Sequence, residues 1–134
     1  DLKKRLEAVE ADRVRTIAEE LLDGTEAVGD ARLIGGRVDV TADELKDLAD
    51  RLEEQGRPAV VVLVGGESGR GIVLCKVSTG ITAVRAGDLV KQMSAVLGGG
   101  GGGGPHFAQG GGQNAAKLDE ALTVGLKTAR GSLG

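Results

Sequence analysis

Tryptophan and tyrosine are absent from this 134-residue chain, and phenylalanine occurs once, at Phe107. That scarcity argues against a module that stacks successive nucleobases on aromatic side chains. Cysteine also occurs once, at Cys75, so no disulfide can close within the chain and a cytoplasmic origin is the simpler expectation. One cysteine and one histidine, His106, cannot supply the roughly four ligands of a structural zinc site. Neither a metal nor a cofactor is expected in this fragment. The longest apolar run, Ala59 to Val64, is far short of the about 20 residues that span a bilayer, so no membrane partner is expected either. The chain opens on Asp1-Leu2-Lys3-Lys4 with no apolar core behind it, and its one methionine is Met93. It therefore lacks the pattern of a signal peptide and reads as a piece excised from something longer.

Catalytic constellations are missing as well. His106 has no serine or cysteine partner set by a motif. The acidic residues gather on the segment from Thr41 to Gln55, where they make a solvated face. No catalytic residue is assigned.

What is present is an uneven charge and a great deal of glycine. The net charge of −3 divides into 5 basic and 7 acidic side chains in residues 1–24, 5 and 10 in residues 25–69, and 7 and 3 in residues 70–134. An anionic partner would be drawn to the final third, although seven positive charges over that length are also ordinary surface.

The hydrophobic pattern predicts a small α/β domain, residues 25–134, with a mixed sheet flanked by helices and preceded by a long helical arm of coiled-coil type, residues 1–24. Leu2, Leu6 and Val9 form a narrow stripe at coiled-coil spacing, and Val14, Ile17, Ala18, Leu21 and Leu22 form a broader one. The second stripe suits packing on the domain. The first suits a partner helix or a second copy, and a single helix folding back on its own domain serves almost as well. A short strand from Ala31 to Ile34 is expected to end at Gly35-Gly36, with a second extended piece near Val38 to Val40. Thr41 and Glu44 form a T-x-x-E capping box opening a helix to about Gln55. Ala59 to Val64 reads as a strand buried on both faces, parallel to the first across a βαβ crossover. A turn from Gly65 to Arg70 leads to a hairpin partner, Gly71 to Ser78, with Cys75 as a small buried hydrophobe. Helices are expected from Asp88 to Leu97 and from about Asn114 to Arg130. Gly125 in the latter allows close approach to whatever lies beneath.

Ten of the 24 glycines fall between Gly98 and Gly112. A flexible linker is one reading, but the run adjoins a Phe-Ala pair and a well-patterned helix. The other is a loop that brings backbone N–H groups close to an anionic ligand, as an anion-binding nest beside the N-terminus of the following helix. The phosphate loop of nucleotide hydrolases is excluded, because Gly99 and Gly104 are followed by Pro105-His106 rather than Lys-Ser or Lys-Thr. A dinucleotide fingerprint is excluded because a helix, not a strand, precedes the run.

Three stretches carry a family resemblance: Ala86-Gly87-Asp88-Leu89-Val90-Lys91, then Gly98 to Gly104 with Pro105-His106-Phe107-Ala108-Gln109-Gly110-Gly111-Gly112, then Lys117-Leu118-Asp119-Glu120-Ala121-Leu122. Together they resemble the C-terminal domain of alanyl-tRNA synthetase, whose pattern runs A-G-D-L-V-K, G-G-x-G-G-G-R-P-x-x-A-Q-x-G-G and K-L-x-E-A-L. The resemblance covers the whole chain. It implies a fragment without enzymatic activity from a parent alanine–tRNA ligase, contacting the outer corner of tRNA(Ala) and linking the aminoacylation and editing domains of that parent. The leading helix would belong to a coiled coil able to support a homodimer.

The tRNA contacts implied are Gly98, Gly99, Gly100, Gly101, Gly102, Gly103, Gly104, Pro105, His106, Phe107, Gln109, Gly110 and Gly111, with Arg85, Lys91 and Lys117 flanking them. Gly104 stands where the family usually has arginine, and Gly100 where many members have lysine, so the segment's own charge is reduced. Two alternatives accompany this reading. One is a module that mainly dimerises the same parent. The other is the substrate-binding domain of a DHH-type phosphoesterase, whose shorter glycine motif usually lacks the A-Q-x-G-G continuation.

Overall fold

The structure is a computed structural model and describes residues 15–29, 31–38, 40–67 and 69–133. A helix α1 (15–23) leads into strands β1 (Glu26–Val28) and β2 (Ala31–Arg37), helix α2 (Ala42–Gly56), and strands β3 (Ala59–Glu67) and β4 (Arg70–Val77). Helix α3 (Ala86–Val96), strands β5 (Gly100–Gly103) and β6 (Phe107–Gly112), a 3-10 turn (Ala115–Lys117) and helix α4 (Leu118–Leu133) complete the chain. The six strands form one sheet in the order β1-β2-β3-β4-β6-β5, with β2 and β3 parallel and every other neighbouring pair antiparallel. The mixed sheet and the parallel βαβ pair are as the sequence implied. The Leu2-Leu6-Val9 stripe lies outside the described residues.

The alternation along β3 builds two cores. Val60, Val62 and Val64 point to one face and join Val73, Cys75 and Val77 of β4 under α3 and α4. Ala59, Val61 and Leu63 point to the other and join Ile34, Leu74 and the α2 face of Leu45, Leu48, Ala49 and Leu52. Residues 59–64 are all fully buried, which is what a continuous apolar run requires of a central strand. Helix α1 covers the α2 side through Ala18, with Ile17, Leu21 and Leu22 packed around it.

Helix α2 starts where the capping box was read. Thr41 Oγ1 accepts from the Glu44 amide at 3.2 Å and Glu44 Oε1 accepts from the Thr41 amide at 3.2 Å, satisfying two orphan donors of the first turn. Its other end is held by a polar cluster. Glu53 is only 5% exposed, accepts from Arg57 through both carboxylate oxygens (2.9 and 3.1 Å) and from Ser78 Oγ (2.9 Å), while Ser78 Oγ also accepts from the Ala59 amide. The Arg57 hydrogen bonds hold the Glu53 carboxyl below its ordinary range against the opposing effect of burial, with Ser78 adding to them. Because the folded value is depressed, this contribution to stability is complete above the unfolded carboxylate value and is lost as pH falls through the folded one. The urea midpoint should therefore drop more between pH 7 and pH 3 in the wild type than in Glu53→Gln. Equal drops would remove Glu53 from the acid transition.

Two local expectations are corrected. Gly35-Gly36 does not end the first strand, because β2 runs through both to Arg37 and the pairing continues with the Val38 amide on the Val64 carbonyl. A Cβ at Gly35 would lie 2.6 Å from Leu126 of α4, and one at Gly36 2.6 Å from Leu21 of α1. The two glycines thus make room for a helix on each face of the sheet. Likewise, Gly65 and Gly66 belong to β3 rather than to a turn, paired with Ile72 and Gly71 of β4, and a Cβ at Gly65 would meet the Val38 carbonyl oxygen at 2.5 Å.

Candidate functional site

Helix α3 ends in Leu97, and Gly98 follows with φ of 73°, a left-handed cap that glycine adopts without a Cβ penalty. From there the glycine run is not a loop. Gly100 to Gly103 and Phe107 to Gly112 are two strands of an antiparallel hairpin, paired Gly100↔Gly111, Gly101↔Gly110, Gly102↔Gln109 and Gly103↔Ala108. Strand β6 is inserted between β5 and β4, so its amides serve ladders on both sides. The expected nest is therefore replaced by an edge strand. Among the described residues no strand pairs the outer side of β5, and all four of its glycines are exposed.

The glycines of this hairpin do two different jobs, and the period of two separates them. A Cβ at Gly101 would lie 2.3 Å from Gly110 Cα and 3.0 Å from Val90 of α3, and one at Gly103 would meet Phe107 and Ala108 at 2.5–2.8 Å. A Cβ at Gly110 would meet Ser94 Oγ at 2.5 Å, Gly101 Cα at 2.8 Å and Val90 at 2.9 Å. Gly101 and Gly110 let the hairpin lie directly on α3, and Gly103 lets its two strands close on each other near the tip. Gly100 and Gly102 have nothing within 4 Å of a Cβ, and Gly104 has the Phe107 carbonyl oxygen at 4.0 Å. Those three positions face open space.

The tip of the hairpin is fixed to α3 through backbone. The Ala86 and Gly87 amides donate to the Pro105 and Gly104 carbonyls at 2.9 and 3.1 Å. The free N–H groups at the start of α3 are thus partly consumed by the tip itself. Arg85, the N-cap residue of α3, is exposed at this end, while Lys117 is exposed in the 3-10 turn at the other. Four strand residues span about 13 Å, so the two cations bracket the hairpin rather than meet. Lys91 is exposed on the helical stripe of Gly87 and Ser94, beside the open edge of β5.

His106 and Phe107 turn inward. The His106 carbonyl accepts from the Val77 amide at 2.8 Å, and its Nδ1 is buried with no hydrogen-bond partner. Phe107 is half-buried against the α2-side core, with Lys46 Nζ 5.7 Å from its ring centroid. Gln109 is exposed on the same side. Arg70, which sequence reasoning did not select, is exposed at the start of β4 and lines a groove of about 450 Å³ with Gln109, Gly100 and Gly111. Its signal in the sequence was weak, because a basic residue after Gly-Glu-Ser-Gly reads as an ordinary turn.

Cys75 is fully buried, its Sγ 3.7 Å from Met93 Sδ, and desolvation pushes its thiol up to about 12. It stays protonated and unreactive at neutral pH. Among the described residues no group of three or more His, Cys, Asp or Glu is placed to hold a metal ion, and no helix is long and apolar enough to cross a membrane.

Known proteins share both this geometry and its sequence. Residues 30–129 match the family model described as the DHHA1 domain. The alanine–tRNA ligase of Acidothermus cellulolyticus is 41% identical over 140 aligned residues that cover all of this chain and 16% of that protein. That of Anaeromyxobacter dehalogenans is 36% identical, over 91% of this chain and 14% of its own length. The chain thus spans about a sixth or less of these relatives. A solved structure of the C-Ala domain from Aquifex aeolicus alanyl-tRNA synthetase superposes with a TM-score of 0.68 at 33% identity, covering 81% of this chain and 96% of that one. RecJ from Thermus thermophilus, in complex with Mn2+, shares the fold over 95% of this chain and 18% of its own, with a TM-score of 0.61 at 21% identity.

Proposed function

The chain belongs to the DHHA1 domain family and, within it, to the C-terminal C-Ala domains of alanyl-tRNA synthetases, and from that premise we propose that it is the tRNA-contacting domain of a cytoplasmic alanine–tRNA ligase. In this reading the parent enzyme supplies both chemical steps, and the domain holds the outer corner of tRNA(Ala) so that the aminoacylation and editing domains act on one tRNA. The observation that carries it is the hairpin. The glycine run Gly100 to Gly103 forms the open edge of the sheet, Gly104-Pro105-His106 its tip and Ala108-Gln109 the adjoining strand, with Arg85 at the tip, Lys117 at the base and Lys91 alongside. Exposed backbone donors and bracketing cations fit a phosphate-bearing strand, and no catalytic group is needed.

Binding should be electrostatic and steep in salt. A chain making three phosphate contacts should show a slope of log K against log salt of about −2 to −3. A mobility shift with a tRNA(Ala) transcript from low to physiological salt measures it. Gly102→Asp is the sharper probe than a change at Gly110, because it puts a carboxylate on the open edge without a clash. It should weaken binding while leaving the thermal midpoint in place. No binding at low salt, or equal binding by Gly102→Asp, would overturn the reading.

A further inference from the structure

The hairpin has two faces, and they are not equivalent. On one, α3 lies directly against Gly101 and Gly110, so nothing can enter there. On the other, α2 covers Leu74 and Phe107, where Lys46 stands over the ring, and Ile72 packs partly against the same core. Beside them the registers Ile72↔Gly111↔Gly100 and Leu74↔Gln109↔Gly102 leave a floor of bare backbone at Gly111, Gly100 and Gly102 on β6 and β5, flanked on β4 by the Ile72 side chain. Arg70 borders this floor at one end and Gln109 at the other, with Ala42 at the start of α2 as a wall. The two residues stand four positions apart along the strand direction, about 13 Å, and both line the groove.

The groove measures about 450 Å³, within the range of small-ligand sites, and among the described residues that line it carries a guanidinium, a primary amide, the apolar Ile72 and no carboxylate. A planar guanidinium suits a phosphate, and a glutamine amide offers both a donor and an acceptor to a base edge. The glycine part of the floor, with Ile72 as an apolar side, suits a ring laid on peptide planes. Resting on the proposed function above, we infer that tRNA crosses the hairpin on its α2 side and seats one nucleotide in this groove, its phosphate on Arg70 and its base edge on Gln109. Arg70 is then a tRNA-binding residue, and the RNA path continues over the outer edge of β5 toward Lys91.

The test is binding of fluorescein-labelled tRNA(Ala) transcript to the full chain by anisotropy across a salt series. Arg70→Ala should weaken binding about tenfold and lower the magnitude of the salt slope by about one, because one phosphate contact is lost. Arg70→Lys should recover part of the affinity and all of the slope. Gln109→Ala should weaken binding with the slope unchanged. Lys127→Ala, an exposed cation of α4 away from the groove, should match the wild type. If the wild type binds and Arg70→Ala binds equally with the same slope, the groove assignment fails while the tRNA-binding reading stands. An Arg85→Ala loss in its place would put the RNA on the α3 side and equally overturn the inference. If the wild type binds no tRNA, both fail together.

Discussion

Gly110→Ala should destabilise the domain by about 3 kcal/mol, whereas Gly102→Ala, its diagonal neighbour across the hairpin, should leave it unchanged or up to about 1 kcal/mol more stable. The added methyl is identical, and its surroundings decide the sign. At Gly110 the Cβ enters a space bounded by Ser94 Oγ at 2.5 Å, Gly101 Cα at 2.8 Å and Val90 at 2.9 Å. Two of those three neighbours are side chains of a helix packed on the sheet, and the third is the backbone of the adjoining strand. Relief therefore requires α3 or β5 to move, and α3 carries Leu89, Val90, Met93 and Leu97 into the main core. At Gly102 no atom lies within 4 Å of the methyl and the backbone is outside the left-handed region, so the main effect is the reduced freedom of the unfolded chain. Urea titration of the two variants checks this through the shift in midpoint at constant slope. Equal midpoints would mean that the hairpin does not lie on α3.

Ser94 makes the same point from the other partner. Its hydroxyl is fully buried and has no hydrogen-bond partner, so its retention costs desolvation without return. It is small enough to sit beneath Gly110, and removing its oxygen in Ser94→Ala should relieve part of the Gly110→Ala penalty. A double-mutant cycle isolates that coupling, since each single change removes one side of the same close approach.

These contacts also explain which parts of the molecule could be read from the sequence. The α2 capping box, the buried β3 run and the four-residue apolar face of α2 are local signals, and each appears where the pattern placed it. Gly125 was legible too, because a lone glycine on an otherwise apolar helical face implies close packing, and its Cβ would meet Met93 Sδ at 2.5 Å. Paired and repeated glycines were misread for one reason. At Gly35-Gly36, Gly65-Gly66 and Gly100–Gly103 they suggested turns or loops, yet in each case the chain stays extended, and at Gly35, Gly36, Gly65, Gly101 and Gly103 the missing Cβ admits a neighbouring element. Sequence records the absence of a side chain but not what fills the vacated space. The three-residue β1, paired to β2 at the sheet's far edge, left no hydrophobic alternation to find. In the site, the motif residues were visible from their order, while Arg70 became visible only when β4 was seen to lie beside β6.

Gly104→Arg and Gly100→Lys should each raise tRNA affinity about tenfold and steepen the salt slope by about one, the reverse of what substitution in a glycine motif usually does. Both positions depart from the resembled pattern toward glycine, and both can take a side chain. The nearest atom to a Gly104 Cβ is the Phe107 carbonyl oxygen at 4.0 Å, and a Gly100 Cβ meets nothing. The two new cations would nevertheless sit in different settings. Arg at position 104 would project from the tip, beside Arg85 and the start of α3, where the helix end already carries partial positive charge. Its like-charged surroundings should cost a little stability and make its gain the more sensitive to salt. Lys at position 100 would rise from the floor of the groove that Arg70 borders. If a phosphate occupies that groove, Gly100→Lys should compensate for Arg70→Ala, and the double variant should bind close to the wild type. If the RNA passes over the tip alone, Gly104→Arg should gain affinity in every background and Gly100→Lys in none. Anisotropy titrations of the four single and double variants at two salt concentrations separate these outcomes. Loss of affinity in both single variants, with unchanged thermal midpoints, would show that the open positions of the hairpin face away from tRNA.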